Sequence, residues 1–352
     1  MTDTARSDGL TGMCRIVSGA IESSAALASR VQGADAVDPR RDGIIKQISI
    51  IVPIRNGGAR WKEAARALQA FAPDPLRVVV IDSSSNDGSD VVAKDCGFKT
   101  ARIDPSTFNH GATRQWAIER FCSDAEFVIF LTHDAVIDGS ASIPNLIAAF
   151  EDPDVGASYG RQLPHPGAGQ FEAHMALFNY SSSSRTQSLS NAESLGIKTA
   201  YLSNSFAAYR LSVLQECGGF PSHLILGEDA CMAVRMLLAG WKIRYCAEAQ
   251  VRHSHAYTVR QEVQRYFDFG VMHEQLPELM RYFGAAEGEG TRFVASELRY
   301  FFANAPWRLP LVLVRNAARY LGYRMGRVFR WMPLCACRWL SMTKAFWVRS
   351  AP

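Results

Sequence analysis

Ile48-Ser-Ile-Ile-Val-Pro-Ile54 opens the part of the chain that decides the fold, and two similar runs follow it, Val78-Val-Val-Ile-Asp82 and Phe127-Val-Ile-Phe-Leu131. Each run is short, apolar and rich in β-branched or aromatic residues, which is the pattern of a strand buried on both faces of a parallel sheet. The segments between them predict helices at 60–71, 87–96 and 111–121. Strands and helices that alternate along a chain predict an α/β fold with a mostly parallel, Rossmann-like sheet and helices on both faces.

The loop after the first run excludes one common class of α/β protein. It reads Pro53-Ile-Arg-Asn-Gly-Gly58 and has no GxGxxG spacing. Dehydrogenases bind the pyrophosphate of a dinucleotide with that glycine pattern at the first strand–helix turn. The sequence therefore argues against a dehydrogenase that holds its cofactor on this loop.

Composition bounds the size and the compartment. The chain has 352 residues, of which 48% are apolar, enough for one large domain with attachments or for two small domains. Its eight cysteines are scattered without a CxxC pair, which predicts neither a zinc site nor a disulfide scaffold and fits a reducing cytosol. No uncharged apolar stretch reaches about 18 residues, and no charged-then-apolar leader is present. We expect a cytoplasmic protein that neither spans a membrane nor is secreted.

Both ends of the chain differ from its middle. Residues 1–45 are rich in small and charged residues with weak periodicity, which predicts a poorly ordered extension. Residues 46–275 hold the strand and helix pattern, and residues 276–352 are expected to form a helical, basic and aromatic-rich region. The sequence thus predicts three segments, of which the central one carries the fold.

The C-terminal region has an unusual charge pattern. From residue 298 onward there are ten Arg or Lys residues and no Asp or Glu, and tryptophans such as Trp307, Trp331 and Trp339 lie between the positive charges. This composition is typical of a helix that lies in an anionic lipid surface. The alternative is a basic helical tail packed on the domain with a solvated face. Nucleic-acid binding is not expected, because no nucleic-acid motif accompanies the charge.

Candidate reactive residues lie where the apolar runs end, since ligands of open α/β sheets bind beyond the carboxyl ends of the strands. Asp82 and Asp134 each follow such a run, and each is either a ligand contact or a residue that opens a turn. Further along the chain, two adjacent acids begin a helix and two histidines alternate on what reads as a strand, at Glu228, Asp229, His253 and His255. The acids are either a general base with its neighbour or simple helix caps. The histidines are a metal or phosphate contact, or ordinary core or surface residues.

Eight motifs in order resemble the rhamnosyltransferase branch of glycosyltransferase family two across residues 46–330. They are Ile-Val-Pro at 51–53, Val-Ile-Asp-Ser-Ser-Ser at 80–85, Phe-Asn-His-Gly-Ala-Thr-Arg at 108–114, Phe-Leu-Thr-His-Asp-Ala at 130–135, Tyr-Gly-Arg-Gln-Leu-Pro at 159–164, Ser-Asn-Ser-Phe-Ala-Ala-Tyr-Arg at 203–210, Gly-Glu-Asp at 227–229 and His-Ser-His at 253–255. The resemblance implies a GT-A fold for residues 46–275. It implies an inverting, single-displacement transfer, most often of L-rhamnose from dTDP-L-rhamnose, to a hydroxyl of a lipid-linked or growing surface polysaccharide.

The same resemblance implies roles for individual residues. Asp229 matches the catalytic base, and Glu228 is its neighbour that orients the acceptor. Pro53, Asp82 and Ser84 are expected to line the nucleotide pocket, and Arg114 to lie near the donor diphosphate. Arg161 and Gln162 are expected to contact the donor sugar or the acceptor. Asn204 and Ser205 are candidates for contacts with sugar hydroxyls.

Asp134 matches the last acid of the family's metal-binding motif and so implies Mg²⁺ or Mn²⁺ near the donor. Thr132 and His133 stand where the family usually has an Asp-x pair. Because one carboxylate alone holds a hard cation poorly, a further ligand is needed, and His253 and His255 are the candidates.

Two rival functions stay open from the sequence. One is a transferase with a UDP- or GDP-linked donor, since thymine and uracil differ by a single methyl group. The other is a non-catalytic, membrane-docked partner protein with the same fold. In each case we expect the protein to rest on the inner membrane surface, with a nucleotide-sugar and a saccharide acceptor as ligands of the enzyme.

Overall fold

The computed structural model describes residues 47–284 and 286–349. Nine strands of this part of the chain form one mixed sheet in the order β3-β2-β1-β4-β8-β6-β9-β5, with β7 paired to β9. The strands are β1 (Ile48–Ile54), β2 (Val78–Asp82), β3 (Lys99–Arg102), β4 (Phe127–Leu131), β5 (Val136–Ile137), β6 (Val155–Leu163), β7 (Arg185–Gln187), β8 (Phe206–Arg210) and β9 (Lys242–Arg252). Strands β3, β2, β1 and β4 are parallel to one another, whereas β8 is antiparallel to both β4 and β6.

Helices fill the connections and make up the C-terminal part of the chain. Before β9 they are α1 (Gly58–Phe71), α2 (Ser89–Asp95), α3 (His110–Phe121), α4 (Ser142–Ile147), α5 (Gln170–Asn179), α6 (Ala192–Leu195), α7 (Leu211–Glu216) and α8 (Glu228–Leu238). After β9 they are α9 (Val259–Gln275), α10 (Pro277–Phe283), α11 (Ala286–Asn304), α12 (Leu309–Arg327), α13 (Leu334–Leu340) and α14 (Lys344–Arg349). The predicted α/β fold and the helical C-terminal region are both confirmed.

The three runs quoted from the sequence form β1, β2 and β4 with the predicted bounds, and every residue in them is buried. Successive residues of a strand face opposite sides of a sheet, so these runs serve two apolar cores. Ile51 and Ile81 lie in one core, and Val52 and Val80 lie in the other. Burial on both faces explains why the runs are apolar at every position except Ser49 and Asp82 and do not alternate.

The C-terminal helices are joined to the α/β core by a close crossing of α9 and α12. A Cβ added at Gly326 would lie 2.1 Å from the carbonyl oxygen of Phe267, and one added at Gly322 would lie 2.3 Å from that of Val263. Only glycine allows the two backbones to approach this closely. A buried ion pair between Arg319 of α12 and Glu262 of α9, at 2.6 Å, reinforces the crossing.

Part of the predicted basic, aromatic surface of the C-terminal region is in fact buried, because one face of α12 packs against its neighbours. Arg319 is only 4% exposed and also pairs with Glu297 of α11 at 2.9 Å, so its charge is neutralised inside the protein. Trp347 of α14 is 4% exposed and packs beside Phe267. These two residues therefore belong to the protein interior, while Trp307, Trp331 and Trp339 are exposed.

The predicted segment boundaries have different outcomes. The prediction of a poorly ordered extension at 1–45 lies outside the described residues. The boundary at 275/276 falls between α9, which ends at Gln275, and α10, which begins at Pro277; as a domain boundary it stays a prediction. Among the residues described, no helix is both long enough and apolar enough to cross a bilayer.

Candidate active site

A cavity of ≈ 1820 Å³ opens at the carboxyl ends of β1 and β4, beside the start of α8. Ten of the residues selected from the sequence line it: Pro53, Arg114, Asp134, Gln162, Asn204, Ser205, Glu228, Asp229, His253 and His255. These residues are up to 202 positions apart along the chain, and the sheet topology brings them to one edge. This edge is where open α/β sheets bind their ligands.

Three other selected residues, Asp82, Ser84 and Arg161, do not line the cavity. The buried carboxylate of Asp82 accepts hydrogen bonds from the backbone N–H of Ser85 at 3.0 Å and from its hydroxyl at 2.5 Å. Ser84 has a left-handed backbone, with φ of 55°, and donates its hydroxyl to the carbonyl of Ile103. Asp82 and Ser84 thus shape the loop after β2, whose Ser83 does line the cavity. Their contact with a nucleotide stays a prediction.

Arg161 and Gln162 are neighbours in β6 and so point to opposite faces of the sheet. Only Gln162 reaches the cavity, which the alternation of the strand explains. A contact between Arg161 and a ligand stays a prediction.

Asp134, His253 and His255 form a cluster with metal-ligand geometry. Their candidate ligand atoms all lie within 4.8 Å of one another. Asp134 comes from the loop after β4, and its carboxylate lies 3.4 Å from His253 Nε2 and 3.6 Å from His255 Nδ1. The prediction that the histidines lie on a strand is wrong, because β9 ends at Arg252. They lie in the segment that follows, where the backbone N–H of His253 still donates to the carbonyl of Leu163 at 2.8 Å, and both converge on Asp134.

Gln162 sets the orientation and the tautomer of His253. Its side-chain oxygen lies 2.7 Å from His253 Nδ1, and its nitrogen donates to Ser203 Oγ at 2.9 Å. An amide oxygen can only accept, so Nδ1 of His253 carries a proton, and Nε2 is the ring nitrogen that faces Asp134. Outer partners of this kind fix the ring of a metal-binding histidine.

The charges of the cluster also suit a divalent cation. Desolvation works to raise the pKa of Asp134, but the hydrogen bond and charge of His253 outweigh it, and the pKa lies below its ordinary value. Desolvation, with the nearby ring of His253, lowers the pKa of His255 to about 4. An ionised carboxylate and neutral imidazoles are the forms that bind metals. The donor set therefore fits Mg²⁺ or Mn²⁺, with water or ligand oxygens completing the coordination.

Asp229 sits at the N-terminus of α8, half-buried and facing the cavity. Its carboxylate accepts from the backbone N–H of Asn204 at 3.1 Å and of Ala230 at 2.8 Å. Burial, and then the negative charge of Glu228, raise the pKa of Asp229 to about 6. A carboxylate with a pKa near the working pH is well matched to a general base.

Glu228, the buried neighbour of Asp229, has a pKa displaced in the opposite direction. Burial works to raise its pKa, but the charge of Arg114 and the hydrogen bond from Asn204 hold the pKa below the ordinary value. Arg114 Nη1 lies 2.8 Å from Glu228 Oε1, and Asn204 Nδ2 donates to the same oxygen at 3.0 Å. The two adjacent acids thus have pKa values displaced in opposite directions, and Glu228 supplies a fixed negative charge beside Asp229.

Arg114 and Asn204 are held by the protein itself. The guanidinium of Arg114 is 4% exposed, pairs with Glu228 and donates to the carbonyl of His110 at 3.1 Å. Asn204 is 2% exposed, and its side-chain oxygen accepts from the hydroxyl of Tyr209 at 2.7 Å. Both residues therefore position the acids of α8. Ser205, half-buried at the cavity wall, has no such role, and the predicted ligand contacts of all three stay predictions.

Two cavity residues were missed by the sequence analysis. His110 lies at the start of α3, and its burial lowers its pKa to about 4, so it is a neutral imidazole near Glu228. Arg265 lies on α9 and faces the same cavity. His110 belongs to the Phe-Asn-His-Gly-Ala-Thr-Arg motif at 108–114, so the sequence alone could have marked it as a site residue. Arg265 sits in a helix with no local feature that marks it, and only the tertiary structure reveals its place.

The mixed sheet, the carboxylate at the start of α8 and the cluster of Asp134, His253 and His255 fit a glycosyltransferase with a GT-A-like fold. The chain matches the family model "Glycosyl transferase family 2" over residues 49–218. It is 46% identical over 302 residues to the O-antigen chain rhamnosyltransferase RfbN of Salmonella typhimurium, covering 86% of this chain and 96% of that protein. It is also 46% identical to the O-antigen chain rhamnosyltransferase WbaN of Salmonella anatum, covering 85% and 95%. The protein belongs to glycosyl transferase family 2.

Solved structures show the same fold at low sequence identity. The mannosyltransferase PcManGT from Pyrobaculum calidifontis, in complex with GDP-Man and Mn²⁺, aligns with a TM-score of 0.50 at 17% identity over 86% of this chain and 85% of that one. Residues 1–349 of S. aureus TarS align with a TM-score of 0.50 at 16% identity over 81% and 91%. These similarities concern the fold alone.

Proposed function

We propose that the protein is an inverting rhamnosyltransferase that moves L-rhamnose from dTDP-L-rhamnose to a hydroxyl of a lipid-linked or growing O-antigen-type polysaccharide. The observation that carries the proposal is the position of Asp229, a carboxylate with a raised pKa, in one cavity with the Asp134, His253 and His255 cluster. The 46% identity to two O-antigen chain rhamnosyltransferases supports the choice of sugar.

In the proposed reaction, Asp229 takes the proton of the acceptor hydroxyl while that oxygen attacks the anomeric carbon. The new oxygen–carbon bond forms on the face opposite the leaving group, and the bond between the anomeric carbon and the diphosphate oxygen breaks. Thymidine diphosphate leaves with the electron pair, so the configuration at the anomeric carbon inverts. A positioned base of this kind typically contributes a factor of about 10²–10⁴ to the rate.

Glu228 and Asn204 keep Asp229 ready for this step. The charge of Glu228 helps to keep the pKa of Asp229 near 6, so the carboxylate is ionised at neutral pH but is still basic enough to accept a proton. The backbone N–H of Asn204 fixes the Oδ2 atom at 3.1 Å and so leaves little rotational freedom. The base is therefore oriented before the acceptor arrives.

Asp134, His253 and His255 would hold Mg²⁺ or Mn²⁺. A bound divalent ion supplies charge that offsets the negative charge on the departing diphosphate. Gln162 contributes by holding His253 with Nε2 toward the site. The predicted metal dependence thus rests on one carboxylate and two imidazoles.

The exposed face of α12 supports a lipid-linked acceptor. Residues 312, 319, 322 and 326 of this helix are buried against its neighbours, whereas the opposite side exposes apolar side chains at 313, 314, 320 and 321. Trp331 and Trp339, 90% and 64% exposed, follow in the same basic region. Apolar side chains that alternate with Arg suit a surface that rests on an anionic bilayer. We infer that this face rests on the inner membrane surface.

The proposal is tested by incubating the purified protein with dTDP-L-rhamnose, UDP-glucose or GDP-mannose, Mg²⁺ or Mn²⁺, and membranes that carry lipid-linked O-antigen intermediates. We expect rhamnose incorporation only, with an inverted anomeric configuration by NMR. Transfer from another donor would support a glycosyltransferase but contradict rhamnose as the transferred sugar. Donor binding without any transfer or hydrolysis would favour a non-catalytic partner protein.

A further inference from the structure

The diphosphate of a nucleotide-sugar needs positive charge beyond a single metal ion. The arginine selected from the sequence for this purpose, Arg114, is 4% exposed and forms a 2.8 Å ion pair with Glu228. This pair carries no net charge, and moving Arg114 toward a ligand would leave Glu228 buried without its partner, which costs several kcal/mol. A cavity cation without a buried acidic partner is therefore better suited to contact a diphosphate than Arg114 is.

Arg265 has the properties that Arg114 lacks. It is half-buried at the cavity wall, two turns into α9, and its guanidinium lies 4.7 Å from the centre of the Phe269 ring. Among the residues whose side chains the structure describes, 47–284 and 288–348, no carboxylate lies within ion-pair distance of it. The side chain of Arg265 lines the same cavity as His110, at the start of α3, and Asp134.

The helix that carries Arg265 is held rigidly. On one side of Arg265, Glu262 is paired with Arg315 and Arg319 of α12 at 2.9 and 2.6 Å. On the other side, a Cβ added at Gly270 would lie 2.3 Å from the carbonyl oxygen of Tyr323. The anchoring fixes the backbone of α9 while leaving the guanidinium without a carboxylate partner, which is the arrangement expected of a preorganised ligand contact.

We propose that Arg265 binds a diphosphate in the cavity through charge-assisted hydrogen bonds. A planar guanidinium can contact two phosphate oxygens at once. With the divalent cation and Asp134 it also balances the two charges of the diphosphate, so the bound complex is neutral. The diphosphate belongs either to the nucleotide-sugar donor or to a polyprenyl-diphosphate acceptor, and the chemistry of recognition is the same.

This inference rests on the proposed function, so its test begins with wild-type protein. Calorimetric titration with dTDP, and with inorganic pyrophosphate as a competitor, establishes whether a diphosphate binds at all. The same titrations are then made with Arg265→Gln and with Arg265→Met, whose unbranched stem preserves the packing against Phe269. Arg260→Gln is the matched control, since Arg260 lies on the same helix and also contacts an aromatic ring, Trp339, at 5.5 Å.

We expect both Arg265 variants to bind dTDP and pyrophosphate about tenfold to a hundredfold more weakly than wild type, and Arg260→Gln to bind as wild type does. If the affinity for dTDP is unchanged and the KM for a polyprenyl-diphosphate-linked acceptor rises instead, the diphosphate is that of the acceptor. Unchanged donor affinity together with an unchanged acceptor KM in Arg265→Met would overturn the proposal. Failure of wild-type protein to bind dTDP would instead contradict the proposed function.

Discussion

Asp229 and Glu228 are adjacent carboxyl groups whose surroundings assign them different tasks. Glu228 is buried against Arg114, which keeps it ionised, whereas Asp229 faces the cavity with a pKa of about 6. Pairs of titratable groups whose pKa values are displaced in opposite directions commonly mark acid–base sites. The difference arises from tertiary contacts, since Arg114 lies on α3 and Asn204 precedes β8.

Replacing Asp229 by Asn removes the proposed base and keeps the shape of the side chain. We expect kcat to fall by a factor of about 10³ or more while the dissociation constant for dTDP stays within a few fold of the wild-type value. Initial rates and calorimetry measure the two quantities separately. Glu216→Gln, an exposed substitution outside the cavity, is the control. Turnover in Asp229→Asn comparable to wild type would show that another group takes the proton.

The raised pKa of Asp229 predicts the acid limb of the pH profile. Below about pH 6 the carboxyl group is protonated and cannot accept a proton, so kcat/KM should decline there with unit slope. Glu228→Gln removes the negative charge that helps to raise this pKa, so the limb should move to lower pH. A limb that stays in place in Glu228→Gln would mean that another group governs it.

Individual residues were predicted from the sequence with uneven success. The acids at 228 and 229 and the group of Asp134, His253 and His255 do meet in one cavity, because motif order and strand ends carry that information. The ion pair of Arg114 was not predictable, since its partner is 114 residues away along the chain. Arg265 was missed because its place at the cavity wall depends on the position of α9 in the folded chain.

At the scale of elements, the crossing of α9 and α12 links the catalytic edge to the C-terminal helices. The crossing depends on glycines at the contact, because the backbones approach too closely for any Cβ. Strands β1, β2 and β4 were predictable from their apolar runs, and the short strands β5 and β7 were not, since two or three residues carry no periodic signal. The role of the glycines of α12 in helix packing likewise could not be predicted from the sequence, because it depends on which helix packs against them.

Gly326→Ala tests the crossing. The new Cβ would lie 2.1 Å from the carbonyl oxygen of Phe267, which is backbone and cannot rotate away. We expect the free energy of unfolding to fall by about 1–3 kcal/mol. Gly288→Ala is the control, since its Cβ meets nothing within 4 Å and α11 should gain up to about 1 kcal/mol. Urea unfolding of both variants gives the values, and equal stabilities would contradict close packing at this crossing.

At the scale of the whole molecule, some basic and aromatic residues of the C-terminal region pack in the interior, and others are exposed on the surface. Arg319 and Trp347 hold the helices together, whereas Trp331 and Trp339 are exposed. Composition predicted the helical, basic character of the region, but it could not tell which positive charges are neutralised by Glu262 and Glu297. Glu262 precedes the region and Glu297 lies on α11 within it, and their pairing with Arg319 is found only in the folded chain.

The double substitution Trp331→Ser and Trp339→Ser tests the proposed membrane face. We expect binding to vesicles of phosphatidylethanolamine and phosphatidylglycerol to weaken at least about tenfold, because two aromatic side chains no longer enter the interface. Binding of wild-type protein should also weaken with added salt. Trp116→Ser, on α3 and 37% exposed, serves as the control in co-sedimentation. Unchanged vesicle binding by the double variant would rule out these residues as the contact.

The central claim is that the edge of the sheet binds a thymidine diphosphate sugar with the help of a divalent cation. Calorimetric titration of the purified protein with dTDP, UDP and GDP, each with Mg²⁺ and again with chelator, tests it most directly. We expect tight binding of dTDP that is lost with chelator and is weakened in Asp134→Asn. Preference for UDP or GDP, or binding of dTDP that is indifferent to the metal, would contradict it.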